Sequence, residues 1–226
     1  VVISKIPIAE IKPVLGNNVE LVNIVFDKKE DIIGFRREEM AFSKLPGKNI
    51  FHSSFISLPP GDFKCCTVIR DLETGRGAVG SSSVVIPKSR ESGITLYPPL
   101  LLQPGEEAIF LNGPLPGYPF DSTRYSPVAG DLPKGTRELR AVVRCAAPGI
   151  EKPNIIIYPY LINQTTEEKV ELTISLVDQY QEAETRILVY DFQIDPLQSG
   201  KYSMHLFAKE QEALSNSYVN TTFIVK

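Results

Sequence analysis

The side chains suited to catalysis or metal binding are few: His52 and His205, the thiols of Cys65, Cys66 and Cys145, and the acids Glu106, Glu107, Asp191 and Asp195. A Ser-His-Asp hydrolase needs an exposed serine, a base in reach and an orienting acid. Both histidines fall in strand-like stretches, and no Gly-x-Ser-x-Gly turn occurs. His205 follows Met204, so the two should face opposite ways on a strand, with His205 outward. Nothing around Cys145 marks a lowered thiol pKa. A zinc site needs clustered Cys and His, and no Cys-x-x-Cys pair is present. The acids suit a glycosidase or a calcium site by type alone, without the spacing either demands. Gly75-Arg76-Gly77-Ala78-Val79-Gly80 matches a pyrophosphate loop by letter. It joins two strand-like runs and opens no helix, so it reads as a hairpin. These residues imply no enzyme, no metal and no cofactor.

The elements that would position them read as strands. Val19–Phe26, Asn49–Leu58, Phe63–Arg70 and Ala78–Ile86 carry β-branched or alternating apolar residues bounded by turns. Thr136–Cys145, Asn154–Ile162, Glu168–Val177, Thr185–Ile194, Lys201–Lys209 and Tyr218–Val225 repeat that texture. In Glu168–Val177 the residues Val170, Leu172, Ile174 and Leu176 share one face. Arg36–Leu45 has the composition of a short helix. Core residues are expected among Phe55, Phe63, Val68, Leu172, Leu188, Tyr202 and Leu206. The polar stretch Lys88–Gly93 after Pro87 marks a boundary, giving domains 1–90 and 91–226.

An internal repeat supports two copies of one unit. An offset of 139 residues carries Leu58 onto Leu197, Gly61 onto Gly200, Phe63 onto Tyr202 and Cys65 onto Met204. The same offset carries Val84-Val85-Ile86 onto Phe223-Ile224-Val225. Upstream, an offset of 119 sets Gly16 and its following strand against Gly135 and its own, which makes Val19–Phe26 and Thr136–Cys145 the strand-B candidates. A turn glycine, an aromatic and a core residue two positions later form the corner that opens strand F of an immunoglobulin-like sandwich. Cys65 and Met204 stand where antibody domains keep a cysteine, so the inter-sheet disulfide is absent. Only Tyr202 has the hydroxyl for a tyrosine corner. Gly61 and Gly200 should sit at positive φ or where a Cβ finds no room. The fold class is all-β, two tandem immunoglobulin-like β-sandwiches.

The run Val22-x-x-Val25-Phe26-Asp27-Lys28, then Ser57-Leu58-Pro59-Pro60-Gly61-Asp62-Phe63, then Val68-Ile69-Arg70-Asp71-Leu72-Glu73-Thr74-Gly75-Arg76, resembles the β-rich C-terminal region of bacterial von Willebrand factor A domain-related proteins. The resemblance covers about the first hundred residues. It implies a non-catalytic module of an exported protein, in the periplasm or at the cell surface. No Asp-x-Ser-x-Ser motif occurs, so the A-type domain itself is not in this sequence.

The net charge of −3 gives no electrostatic footprint for nucleic acid. No apolar run reaches the roughly eighteen residues of a membrane-spanning helix. The chain opens on Val1 in strand-like sequence, the pattern of a processed chain or a piece of a longer protein. The partner is therefore expected to be another protein or other domains of the same chain. The candidate contact residues are Tyr118, Phe120 and Tyr125, in a Pro- and Gly-rich loop spanning 112–135. Loop aromatics can stack on a glycan, dock a protein or fold back and cap the sandwich. Asn163-Gln164-Thr165 and Asn220-Thr221-Thr222 match glycosylation sequons.

Overall fold

The computed structural model describes residues 1–41, 49–105, 109–113, 115, 117–151, 153–211 and 214–226. In chain order the elements are β1 (Val2–Pro7), α1 (Ile8–Ile11), β2 (Asn18–Phe26), β3 (Ile32–Ala41), β4 (Asn49–Ser54), β5 (Gly61–Asp71), β6 (Gly77–Ile86), β7 (Thr95–Leu96) and β8 (Leu100–Pro104). They continue with β9 (Ile109–Phe110), β10 (Tyr125–Pro127), β11 (Asp131–Leu132), β12 (Glu138–Ala146), β13 (Ile155–Asn163), β14 (Lys169–Val170), β15 (Leu172–Glu182), β16 (Thr185–Ile194), β17 (Gly200–Glu210) and β18 (Asn216–Val225). The fold is all-β, with one turn of helix among the described residues. Among the described residues no helix is long and apolar enough to cross a membrane. Two compact units form: Val1–Ile86 with Ala108–Leu115, and Pro87–Glu107 with Pro116–Lys226. The segment 108–115 belongs to the first unit, although it lies within 91–226.

The second unit has the strand order of an immunoglobulin-like sandwich. One sheet runs β10-β8-β12-β16-β15, with β7 also on β12, and the other runs β11-β18-β17-β13-β14. The run β8-β12-β16-β15 is the A-B-E-D sheet, and β13-β17-β18 is C-F-G. Alternate residues of both sheets meet in one core, among them Leu139, Val143, Phe192, Leu161, Met204 and Phe223. The Tyr202 hydroxyl donates to the Gln198 carbonyl at 3.1 Å, the tyrosine corner at the start of strand F.

The first unit repeats this plan. Its sheets run β3-β2-β5-β6 and β1-β4-β9. Shifting β1 and β2 by 136 residues and β4 to β6 by 139 superposes the strand registers. Val2 opposite Ser54 becomes Glu138 opposite Gln193, Val19 opposite Asp71 becomes Ile155 opposite Glu210, and Gly61 opposite Ile86 becomes Gly200 opposite Val225. The pairing corrects the strand assignment from sequence. Val19–Phe26 is bonded to the F strand β5, so it is strand C, and its counterpart is Ile155–Ile162. The offset of 119 through Gly16 and Gly135 is not the structural one; strand B of the first unit is β1.

The strand after C differs between the units, and side-chain chemistry explains it. In the second unit β14 pairs with β13, and β15 then crosses to pair with β16. Leu172 and Ile174 of β15 pack on the core. At the 136 offset their counterparts are Arg36 and Glu38, both exposed. Charged residues gain nothing from covering a core, so β3 stays on β2 along its length. Arg36–Ala41 is therefore strand, not helix, and the remainder of that stretch, 42–45, lies outside the described residues. The open edge of β4 takes β9 in parallel instead, with Ile50 opposite Ile109.

Other corrections are local. Leu176 and Phe55 are exposed, Leu176 beside a register shift between Leu176 and Asp178. Val68 faces outward. The 112–135 stretch contains two short strands, β10 and β11. In the first core a polar chain, buried at Asn23 and Ser54, links the sheets. Ser4 bonds Thr67 at 2.8 Å, Thr67 donates to Asn23 at 2.5 Å, and Asn23 donates to Ser54 at 2.7 Å. It separates two apolar clusters, one holding Ile6, Leu21 and Ile69, the other Val25, Phe63 and Cys65.

Gly61 and Gly200 adopt φ of +154° and +157°, as their place in the repeat predicted. A Cβ on Gly61 would also sit 3.0 Å from the Phe63 ring. Gly200→Val should cost more than about 1 kcal/mol, read as a lower unfolding midpoint; an unchanged midpoint overturns the assignment. Asp71 offers a pH test. Its buried carboxylate accepts bonds from the Thr74 amide at 2.6 Å, the Thr74 hydroxyl at 2.7 Å and the Gly16 amide at 2.9 Å. The Thr74 amide above all, then the Thr74 hydroxyl, hold its pKa below the usual value against the opposing effect of burial, with help from the Gly16 and Glu73 amides. A carboxyl lowered in the folded state stabilises above its unfolded pKa, near pH 4, and loses that contribution as pH falls toward the folded value. The stability gap between wild type and Asp71→Asn should thus narrow from pH 6 to pH 3 in equilibrium unfolding.

Candidate protein-interaction site

The fold disperses the groups with catalytic chemistry. His52 is buried in β4, its Nε2 2.9 Å from the Glu38 carboxylate. His205 lies on the outward face of β17. Asp191 is held by Arg140 through two bonds of 2.6 and 2.8 Å. Glu106 and Glu107 lie outside the described residues. All three cysteines are free thiols. Burial pushes the Cys145 pKa up to about 12, so it stays protonated and unreactive at neutral pH. Among the described residues no group of His, Cys, Asp and Glu is arranged to hold a metal. Gly75 lies in the turn of the β5–β6 hairpin, which Asp71 closes by accepting from the Gly75 amide at 3.0 Å.

The loop aromatics fold back onto the second unit. Tyr125 is buried in β10, and Tyr118 and Phe120 pack beside it against Leu102, Val142 and Ile187. These lie on the outer side of the A-B-E-D sheet. The Arg140 guanidinium sits 4.2 Å from the centre of the Tyr125 ring, and that of Arg144 sits 5.6 Å from Tyr118. Arg144 also donates to the Gly117 carbonyl at 2.7 Å. Burial raises the Tyr118 pKa, with Arg144 acting in the opposite direction. The fold thus gives these three rings a packing role.

The exposed apolar surface lies elsewhere, on the outward face of the sheet containing strand F, in both units. In the first unit cross-strand neighbours form three rows: Arg37, Val22, Val68 and Val79; Phe35, Ile24, Cys66 and Ser81; Ile32, Phe26, Lys64 and Ser83. Val79, Ile32 and Phe35 are 71%, 61% and 56% exposed. At one end Glu20 is buried between the guanidinium groups of Arg37 and Arg70. Its burial favours the neutral acid, but the two arginines outweigh that and hold the pKa low.

In the second unit the same positions are aromatic. Tyr158, Phe207 and Tyr218 form one row, and Tyr160, His205 and Asn220 the next. Tyr158 and Phe207 have ring centres 6.2 Å apart, and Tyr160 stacks on His205 at 4.8 Å. Lys169 lies over Tyr160 at 5.2 Å. His205 Nε2 is 2.7 Å from the Ser203 hydroxyl, and its Nδ1 bonds the Tyr218 hydroxyl. Partial burial lowers the His205 pKa, which keeps the ring neutral at neutral pH.

The two faces match position by position. The offsets carry Val22 onto Tyr158, Ile24 onto Tyr160, Cys66 onto His205, Val68 onto Phe207 and Val79 onto Tyr218. The signal was present in the sequence. Ile155–Ile162 is apolar at both parities, which is more than a strand with one solvated face requires.

No family model matches the chain, and no curated protein matches it. Among solved structures, one chain from the "crystal structure of ICOS in complex with ICOS-L and an anti ICOS-L VNAR domain" aligns with 92% of this chain and 95% of its own length. Its sequence identity is 9% and its TM-score 0.26, a likeness too slight to carry an argument about function.

The packing separates the two aromatic groups experimentally. Tyr125→Ala removes a buried ring and should cost about 3 kcal/mol, whereas Tyr158→Ala, half-exposed, should cost less than about 1 kcal/mol. Chemical denaturation of the two variants measures the difference; equal costs contradict the assignment.

Proposed function

We propose that this chain is a non-catalytic protein-interaction module that docks partners through the outward face of the F-strand sheet in each unit. One observation carries the reading: five matched outward positions in both units hold apolar or aromatic side chains, or a free thiol against a histidine, where a solvated sheet favours polar residues. Exposed apolar patches on a folded unit are characteristic of interaction surfaces. The charged cluster at one end of the first face, Glu20 with Arg37 and Arg70, suits the polar rim of such a surface. The resemblance of Val19–Ile86 to modules of exported bacterial proteins supports a place in the periplasm or at the cell surface, as part of a multidomain protein.

A face that binds must be sensitive to charge placed at its centre. Val79→Lys in the first unit and Tyr158→Lys in the second should each weaken retention of a protein partner about tenfold or more, equivalent to about 1.4 kcal/mol. Their unfolding midpoints should stay near that of the wild type. Immobilised wild type and variants, compared on protein fractions and on a polysaccharide panel, make the test. Retention of a polysaccharide that is lost with Tyr118→Ala, and not with the face variants, would assign glycan binding instead.

A further inference from the structure

The outward face of the second unit differs from that of the first in its charge. In β13, β14, β17 and β18 the positions that share the parity of Tyr158, His205 and Tyr218 include Lys169, Lys201 and Lys209, and no acid. All three lysines are exposed. Among the described residues none of them forms an ion pair. The whole chain has 27 acidic side chains against 24 basic ones, so composition does not account for this asymmetry. The carboxylate on the adjoining strand β11, Asp131 opposite Ile224, is already held by Lys226 at 3.0 Å. In the first unit the matched positions are acidic. Asp62, paired with Lys28, stands at the place of Lys201, and buried Glu20 at that of Ile156.

The rings between the lysines pack against one another and do not lie flat on the sheet. Tyr160 and His205 are 6° from parallel, with centres 4.8 Å apart. Tyr218, on β18, approaches His205 from the other side at 5.7 Å. Lys169, on β14, lies over Tyr160 from the side opposite His205. Tyr160 and His205 thus keep no free face on which a base or a sugar could stack. Their rims point to solvent, and the rim of an aromatic ring is the positive part of its quadrupole. Apolar area is exposed on the same face, with Tyr158 at 49% and Tyr218 at 47%. Lys201 and Lys209 stand eight residues apart on β17, about 27 Å along a strand, with the aromatic rows between them. An apolar centre flanked by charge is the layout of a protein-docking surface. Its positive sign calls for carboxylates opposite.

Resting on the docking role given above and specifying its partner, we propose that the outward face of β13, β17 and β18 docks an acidic polypeptide. Carboxylates of the partner meet Lys169, Lys201 and Lys209, and apolar side chains between them cover Tyr158, Phe207 and Tyr218. A polypeptide fits this combination better than a nucleic acid or an anionic glycan does. Either of those brings charge but little apolar surface, and their stacking groups meet rings already stacked on one another. The face of the first unit, with its own carboxylates at Glu20 and Asp62, lacks this selectivity for acid.

The probes are two synthetic peptides long enough to span the face, one of glutamate with leucine at every third position and one with lysine in place of glutamate. Each is titrated into the full chain while the amide signals of Tyr158, His205, Phe207 and Tyr218 are followed by NMR. Saturable shifts of these signals are expected with the glutamate peptide alone. Its affinity should fall at least tenfold when Lys169, Lys201 and Lys209 are together replaced by glutamate, and in part with Lys201→Glu or Lys209→Glu singly. It should also weaken as salt is raised, because exposed charges are screened. Equal shifts with both peptides, or shifts with neither, overturn the acidic partner. Tighter binding of oligothymidylate or heparin to the same residues assigns the face to another polyanion and overturns it as well. The triple variant, placed in the retention experiment beside Tyr158→Lys, separates the two readings. A partner lost with Tyr158→Lys but kept by the triple variant removes the acidic partner and leaves the docking face standing. A partner kept by both removes the docking face itself.

Discussion

β5 and β17 are hydrogen-bonded along both edges, and the rest of each unit is arranged by that fact. A strand held on two sides cannot slip, because a shift of one residue turns every side chain to the opposite face. With the F strand in place, strands C and G inherit their registers from it. The same residues then point inward in both units: Phe63, Cys65 and Ile69 in one, Tyr202, Met204 and Leu206 with Ala208 in the other. The glycine that opens each F strand adopts an extended backbone at positive φ. The aromatic two residues on packs back over it. Neither unit has a disulfide between its sheets, so interior packing carries the whole of the cohesion that a cross-link would share.

From this common frame the units diverge where their side chains demand it. Apolar Leu172 and Ile174 draw β15 across to the B-E sheet, and the second core becomes one continuous cluster. Charged Arg36 and Glu38 leave β3 beside β2. The first core is divided by the Ser4-Thr67-Asn23-Ser54 chain. Buried polar groups that satisfy one another define a unique arrangement, but they contribute less than the apolar contacts they replace. At the corresponding positions the second unit has Pro159 for Asn23 and Leu206 for Thr67. The edge of β4, which in the second unit's plan is covered by the strand after C, receives β9 in the first unit.

The functional reading follows from the same geometry. Once alternation commits one parity of strands C, F and G to the core, the other parity must face out. In this chain that outward parity holds apolar or aromatic side chains, or a thiol against a histidine, at the five positions matched between the units. Its exposure is therefore a consequence of register and not of a loose or irregular loop. The rings first singled out for binding, Tyr118, Phe120 and Tyr125, are occupied under Arg140 and Arg144 and serve the sheet they cover. Their loop allowed either contact with a partner or a fold back onto the sandwich, and the apolar outer surface of β8, β12 and β16 takes them as its cover.

The sequence by itself determined most of the strands, Arg36–Ala41 excepted, the all-β class, the repeat of the F–G hairpin at an offset of 139, the glycines at positive φ and the tyrosine corner of Tyr202. Each of these is local: alternation, turn chemistry and a two-residue spacing suffice. Strand partnership was decided only in three dimensions. Val19–Phe26 carries nothing in its own residues to distinguish strand B from strand C, because both are alternating and apolar. The assignment needs its neighbour, β5. The same holds for the path of 108–115 into the first unit and for the burial of Tyr125. Long-range pairing depends on which surfaces remain uncovered after the local elements have formed, and that is a property of the assembled sheets.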